Sequence, residues 1–244
     1  MSIERKFAEI RKFCAAHADA ALAQKYARYF TEGYDPYGLD SQLMETQRDA
    51  WLEAWRAELG LEGFLRLGDR LAQTGKYEEG SFAIWFAAAF NKDFTAKTLA
   101  RFGKWLATGF RNWAHVDVLS GEVLSHFFTE MAVPMQALAA WRSAKSKWQR
   151  RAVPVTLISA LKAGYPIGGL LRFVSPMMRD QERVVQQGLG WFLREAWKKQ
   201  PAPVEKFLRQ WKDRCARVIV QYATERMTPG KKARFKRSAP GKTK

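Results

Sequence analysis

Four stretches of this chain superimpose at a near-constant spacing: Ser81-Phe-Ala-Ile-Trp85, Trp113-Ala-His-Val-Asp-Val118, Arg150-Arg-Ala-Val-Pro-Val155 and Gln186-Gln-Gly-Leu-Gly-Trp191. Anchored at Ala83, Asp117, Ala152 and Gly188, they recur after 34, 35 and 36 residues. Such a period accommodates two helices and their turns, so it predicts stacked helical hairpins, each burying its apolar face against the next. The local pattern agrees. Ala, Leu, Lys, Arg and Glu dominate, apolar residues recur at three and four, and strand-like alternation is nearly absent. Breakers fall at residues 33–38, 60–63, 74–75 and 164–169, and at Gly109, Gly121, Pro134, Pro176, Pro201 and Pro203. They leave segments of about 10 to 20 residues, the usual length of globular helices.

The expected architecture is all-α. At this period the tetratricopeptide pattern is missing, so the reading is an α-solenoid of HEAT-like antiparallel helical repeats with a concave basic face. At 47% hydrophobic residues, 244 residues can bury a substantial core, and ten Trp and sixteen Phe give that core aromatic weight. One domain is expected over residues 1–227. Residues 228–244 are rich in Lys and Arg, with Phe235 the one large apolar group, and are expected to be a disordered basic tail.

Charge narrows the range of partners. Against 41 Lys+Arg stand 24 Asp+Glu, a formal net charge of +17. Seven of the cations lie in the tail, which carries no acid, so the first 227 residues hold +10 by themselves. A body this basic favours polyanions and salt-dependent binding. The opening Met1-Ser-Ile-Glu-Arg-Lys-Phe7 has charges where a secretion signal needs an apolar run, and the longest apolar stretch, residues 82–90, is too short to span a bilayer. A cytoplasmic, nucleoid-associated protein is expected, without membrane contact. Cys14 and Cys215 are isolated from each other and from His17, His115 and His126, so no metal and no cofactor is expected.

Candidate site residues follow from aromatic rings on polar faces. Over residues 184–198 at about 100° per residue, Val185, Gly188, Leu189, Phe192, Leu193 and Ala196 form a core stripe. Trp191 falls opposite, beside Gln187, Arg194 and Lys198. An indole next to a guanidinium suits a ligand with flat or ring-shaped parts and an anionic backbone; packing against a further helix accounts for it equally well. Trp113 and Asp117, four apart, share a face if residues 113–118 are helical. Helix capping or a surface ion pair is the alternative for Asp117. Arg151, three after Trp148, takes the corresponding place one repeat on. Trp51, Trp55, Trp85, Trp105, Trp141 and Trp148 read as core.

At these residues the chain resembles the AlkD-type DNA alkylation repair glycosylases, which are HEAT-like repeat proteins. The resemblance rests on Asn112-Trp-Ala-His-Val-Asp117, Trp148-Gln-Arg-Arg-Ala152 and Val185-Gln-Gln-Gly-Leu-Gly-Trp-Phe-Leu-Arg-Glu195, and extends more loosely over residues 20–225. It implies that Asp117 is the catalytic carboxylate, that Trp113 and Trp191 are aromatic walls, and that Arg151 and Arg194 bind the DNA backbone. The implied activity is hydrolysis of the N-glycosidic bond of cationic N3- or N7-alkylated purines, such as 3-methyladenine and 7-methylguanine, in duplex DNA. Pro154, three residues after Arg151, departs from the pattern and could kink that helix.

The implied partner is double-stranded DNA with alkylated bases, and a monomer is expected. Two other readings fit the same composition. A catalytically inactive relative would bind branched or damaged DNA without releasing a base. A helical-repeat scaffold for an acidic protein would use Trp191 as an interface anchor.

Overall fold

A computed structural model describes residues 2–131 and 133–237, and every named element is helical. Among the described residues the nearest approach to a sheet is an isolated bridge between Asp35 and Lys76. Where the sequence reading has one body, the helices pack as two compact units, Met1–Phe127 and Phe128–Lys244.

In the first unit, α1 (Ile3–Ala16) starts at Ser2, whose hydroxyl accepts from the Arg5 amide. Asp19 caps α2 (Ala20–Ala27) and Asp40 caps α3 (Ser41–Gln73), each carboxylate accepting from two amides of the first turn. Helix α3 changes direction at Gly60, where φ is 51°. After α4 (Tyr77–Ala88), α5 (Ala96–Lys104) runs into a π-helical turn at Trp105–Gly109. Then α6 (Trp113–Val118) continues through a second π-helical segment, Leu119–Leu124, into α7 (Ser125–Thr129).

The sequence fills the α3–α4 interface with rings. Trp51 stacks on Trp55 at 5.3 Å and meets Phe82 edge-on at 5.2 Å, while Phe64 touches Phe86 at 5.1 Å. Lys6 is wholly buried there. Its ammonium lies 2.7 Å from Glu58 Oε2 and 5.0 Å from the Trp55 ring, so charge pairing and cation–π attraction offset desolvation.

The second unit is organised around α10 (Arg183–Lys199), which packs on α8 (Lys147–Lys162), α11 (Pro201–Trp211) and α12 (Arg217–Ala223); α9 (Ile167–Val174) lies against α8 and α11. Pro154 sits inside α8, and the helix runs through it to Lys162. The repeat anchors Ala83, Ala152 and Gly188 are buried, on α4, α8 and α10. The expected all-helical repeat is therefore what the chain forms.

The basic tail is a correction. Residues 229–233 form a helix, α13 (Pro229–Ala233), and the Phe235 ring is buried. Arg237 Nη2 donates to the Cys215 carbonyl at 2.7 Å, and Lys212 Nζ to the Lys236 carbonyl at 3.0 Å. Composition alone missed this because one buried phenyl ring and two backbone-directed cations tie down a segment too polar to fold by itself. Residues 238–244 of the expected tail lie outside the described residues.

Close approach of α10 and α12 depends on Gly190. A Cβ there would lie 2.4 Å from Tyr222 Cβ and 2.9 Å from the Ile219 carbonyl oxygen. Gly190→Ala should cost about 1 to 3 kcal/mol of stability despite the better helix propensity of Ala. A melting temperature equal to or above wild type would show that α10 and α12 are not packed this way.

Candidate active site

The sequence-predicted residues divide between the units. Trp113 and Asp117 lie on α6 in the first; Arg151 on α8, and Trp191 and Arg194 on α10, lie in the second.

In the first unit a buried polar network sets the start of α6. Asn112 Oδ1 caps the helix by accepting from the His115 amide at 3.0 Å, and Asn112 Nδ2 donates to the Gly33 carbonyl at 3.2 Å. The same amide nitrogen lies 3.0 Å from His115 Nδ1, while His115 Nε2 lies 2.8 Å from the Tyr77 carbonyl oxygen. This arrangement calls for the neutral tautomer with its proton on Nε2. Burial pushes the His115 pKa down to about 4, the hydrogen bond to Tyr77 opposing the shift. Gly33 has φ 66°, and a Cβ there would lie 1.8 Å from the Arg111 carbonyl oxygen, so the loop after α2 can meet the α6 entry only as glycine.

Two carboxylates of α4 hold the rest of that loop. Glu78 is buried and accepts from the amides of Tyr37 at 2.9 Å, Gly38 at 2.7 Å and Leu39 at 3.2 Å. Glu79, also buried, accepts from the Tyr37 hydroxyl at 2.6 Å. Burial and the bond to Glu79 push the Tyr37 pKa up to about 12, so Tyr37 remains a donor at neutral pH.

The loop so held walls an aromatic cavity of about 420 Å³ beside Trp113. Phe30 stacks on Trp113 at 5.4 Å and on Tyr34 at 4.2 Å, and Trp113 Nε1 donates to the Tyr29 carbonyl at 3.2 Å. Tyr26, Tyr77 and Trp85 complete the aromatic lining. Trp113 is 37% exposed. The half-buried Asp117 follows one turn later on the same face of α6, two residues before the start of the Leu119–Leu124 π-segment. Extra residues in helical turns of this kind are common at functional sites.

The cavity corrects the reading of Trp85, which is half-buried in its lining instead of core. Trp51, Trp55, Trp105, Trp141 and Trp148 are buried as expected. Sequence reasoning overlooked Tyr26, Tyr29, Phe30 and Tyr34. The available clue was five rings between residues 26 and 37 in an otherwise polar stretch, with no helical stripe to absorb them.

In the second unit Trp191 is half-buried, while Val185, Leu189, Phe192, Leu193 and Ala196 of the same helix are buried. The indole thus stands off the core stripe. Arg151 is 5% exposed, and its Nη1 donates to the Val184 carbonyl at 2.5 Å. Its stem lies against Gly188. Arg194 pairs with Glu195 at 3.1 Å and with Glu225, and Lys198 also reaches Glu195 at 2.9 Å. The proline-bearing helix therefore presents Arg151 at the α8–α10 contact, and the Arg194 charge is shared with acids.

The profile of the family described as DNA alkylation repair enzyme matches residues 10–227. The chain belongs to that family. Among solved structures, a predicted DNA alkylation repair enzyme from Enterococcus faecalis superimposes with a TM-score of 0.74 at 15% identity, covering 87% of this chain and 98% of that one. A Streptococcus mutans protein superimposes with a TM-score of 0.60 at 19% identity, covering 85% of this chain and all of the other. At these identities the likeness concerns the fold. A search of curated proteins gives no match. Among the described residues no helix is long and apolar enough to cross a membrane.

Two outcomes test the site's construction. Because the folded state holds His115 neutral, it opposes protonation that the unfolded chain accepts near pH 6.5. This contribution is complete above about pH 6.5 and is lost as pH falls towards about 4, amounting to roughly 3 kcal/mol. Urea titrations across that range should show the loss in wild type and a flatter dependence in His115→Gln; identical slopes would contradict the buried neutral imidazole. Trp191→Ala, in turn, should lower stability by less than the roughly 3 to 5 kcal/mol typical of a core Trp. Calorimetry showing a full core-sized loss would return Trp191 to the core.

Proposed function

We propose that this protein is a monofunctional DNA glycosylase that hydrolyses the N-glycosidic bond of cationic N3- or N7-alkylated purines in duplex DNA. The observation carrying the proposal is the pairing on α6 of a partly exposed Trp113, set in an aromatic cavity, with the Asp117 carboxylate one turn away. Membership of the alkylation repair family and the +17 charge support the same reading.

The chemistry needs little machinery. Alkylation at N3 or N7 already places positive charge on the base, so it leaves without a general acid. What requires stabilisation is an oxocarbenium-like sugar. Asp117 stabilises that cation and orients or deprotonates the attacking water, the part carboxylates play in other glycosidic cleavages. Trp113 offers an indole face to the deoxyribose, with cation–π attraction of about 1 to 2 kcal/mol as charge develops, and Trp191 in the second unit offers another ring to DNA. Arg194 contacts a flanking phosphate, a bidentate task suited to guanidinium, while Arg151, 5% exposed and bonded to the Val184 carbonyl, supports it from the α8–α10 contact. For Arg194 this means exchanging Glu225, an exposed partner, for phosphate.

The test is incubation with methylated duplex DNA and chromatography of the released bases. Wild type should liberate 7-methylguanine or 3-methyladenine. Asp117→Asn keeps the shape and removes the charge, so it should stop release while duplex affinity and melting temperature hold. Excision by the mutant within about tenfold of wild type, or about 1.4 kcal/mol of barrier, would falsify the assignment.

A further inference from the structure

The folded part of the basic tail helps to line a cation-rich groove. Lys212, Arg217, Lys232, Lys236 and Arg237 line a groove of about 730 Å³ in the second unit, together with Val220, Thr224 and Phe235, and among the described residues no carboxylate lines it. Another basic groove, in the first unit, differs in kind: Arg101 there is committed to Asp69 at 2.6 Å and Glu62 at 2.9 Å, and Asp69 lines the groove itself. In the C-terminal groove residues 235–237 are held in place, and two of the five cations, Lys212 and Arg237, take part in holding them. Phe235 is 3% exposed, the Lys236 carbonyl accepts from Lys212, and Arg237 reaches the Cys215 carbonyl. Lys212 also lies 3.3 Å from Asp213. Arg217, Lys232 and Lys236 stand exposed around this anchored frame.

We propose that this groove binds the phosphodiester backbone of duplex DNA, as a contact separate from Arg194. The inference rests on the DNA-directed reading above. Three exposed cations, Arg217, Lys232 and Lys236, converge on one concavity with no carboxylate among its described lining residues, and a backbone with one charge per phosphate is the matching ligand. Because Phe235 orders the segment before binding, the entropic cost of gathering these charges is met during folding. The site carries no reacting group, so it contributes affinity and placement only.

The experiment uses the full-length protein and lesion-free duplex DNA, with anisotropy measured between about 50 and 200 mM salt. Replacing Arg217, Lys232 and Lys236 by Gln together should reduce the slope of log affinity against log salt by about 2 to 3 units, since each phosphate contact contributes about 0.9. Melting temperature should hold, and so should single-turnover base release at saturating protein. A control with the same charge change elsewhere, Arg5, Lys12 and Lys92 to Gln, should leave the slope near wild type. Phe235→Ala, which keeps every charge and loosens the segment, should weaken binding. The proposal is overturned if the groove variant keeps the wild-type slope, or if the control loses as much. Failure of the wild-type protein to bind duplex DNA at all would instead sink the glycosylase reading, while duplex binding with base release and an unchanged groove-variant slope would leave that reading standing and remove this one.

Discussion

A buried carboxylate held by three backbone amides organises the first unit. Glu78 is placed inside by α4, where an ionised group is costly unless its lone pairs are filled, and it is filled by the backbone amides of Tyr37, Gly38 and Leu39. Those amides belong to a loop with little helical propensity, so carboxylate and loop satisfy each other. Once the loop is fixed there, Gly33 meets the α6 entry, Asn112 bridges the two, and Phe30 comes to lie on Trp113. The aromatic cavity thus depends on hydrogen bonding within its own wall, where Gly38, Leu39 and Glu78 lie.

The network around Asn112 has a different physical character. Its members are neutral, and each uses its polar atoms locally: Asn112 caps a helix, His115 bonds to Tyr77, and Tyr77 stacks on the imidazole at 4.9 Å. Neutral networks of this kind tolerate burial where an ion pair would demand desolvation of two charges. They leave Asp117 as the carboxylate at the exposed edge of α6, next to a ring already oriented by its own N–H bond to Tyr29. Under the proposed function, an indole one turn from a half-buried acid stabilises positive charge that develops only during reaction, because little reorganisation is needed at that moment.

The second unit solves a packing problem before an electrostatic one. Helix α10 touches α8, α11 and α12, and Gly188 and Gly190 keep its approach to two of them close. Surrounded in this way, α10 has a narrow free margin, and Trp191 and Arg194 occupy it. Arg151 and Arg194 are both tied to protein acceptors, which fixes their directions at the expense of free charge. The more open cations belong to the C-terminal segment, so guanidinium placement and bulk positive potential are supplied by different parts of the same unit.

Helical periodicity and the 34 to 36 residue spacing determined the all-helical repeat fold, because burying one face of a helix every 3.6 residues leaves a pattern that any reader of the chain can see. The motif around Trp113 and Asp117 and the off-stripe position of Trp191 were legible for the same reason. Tertiary structure alone decided the rest. It made Trp85 a cavity wall and recruited Tyr26, Tyr29, Phe30 and Tyr34, since their placement depends on Glu78 and Glu79, which stand some forty residues away and have no periodic mark. It also folded residues 229–237, where the deciding contribution is one phenyl ring finding a pocket. Local pattern records which face of an element is buried; it does not record which distant acceptor holds a loop, because that choice is made by geometry the chain acquires only on folding.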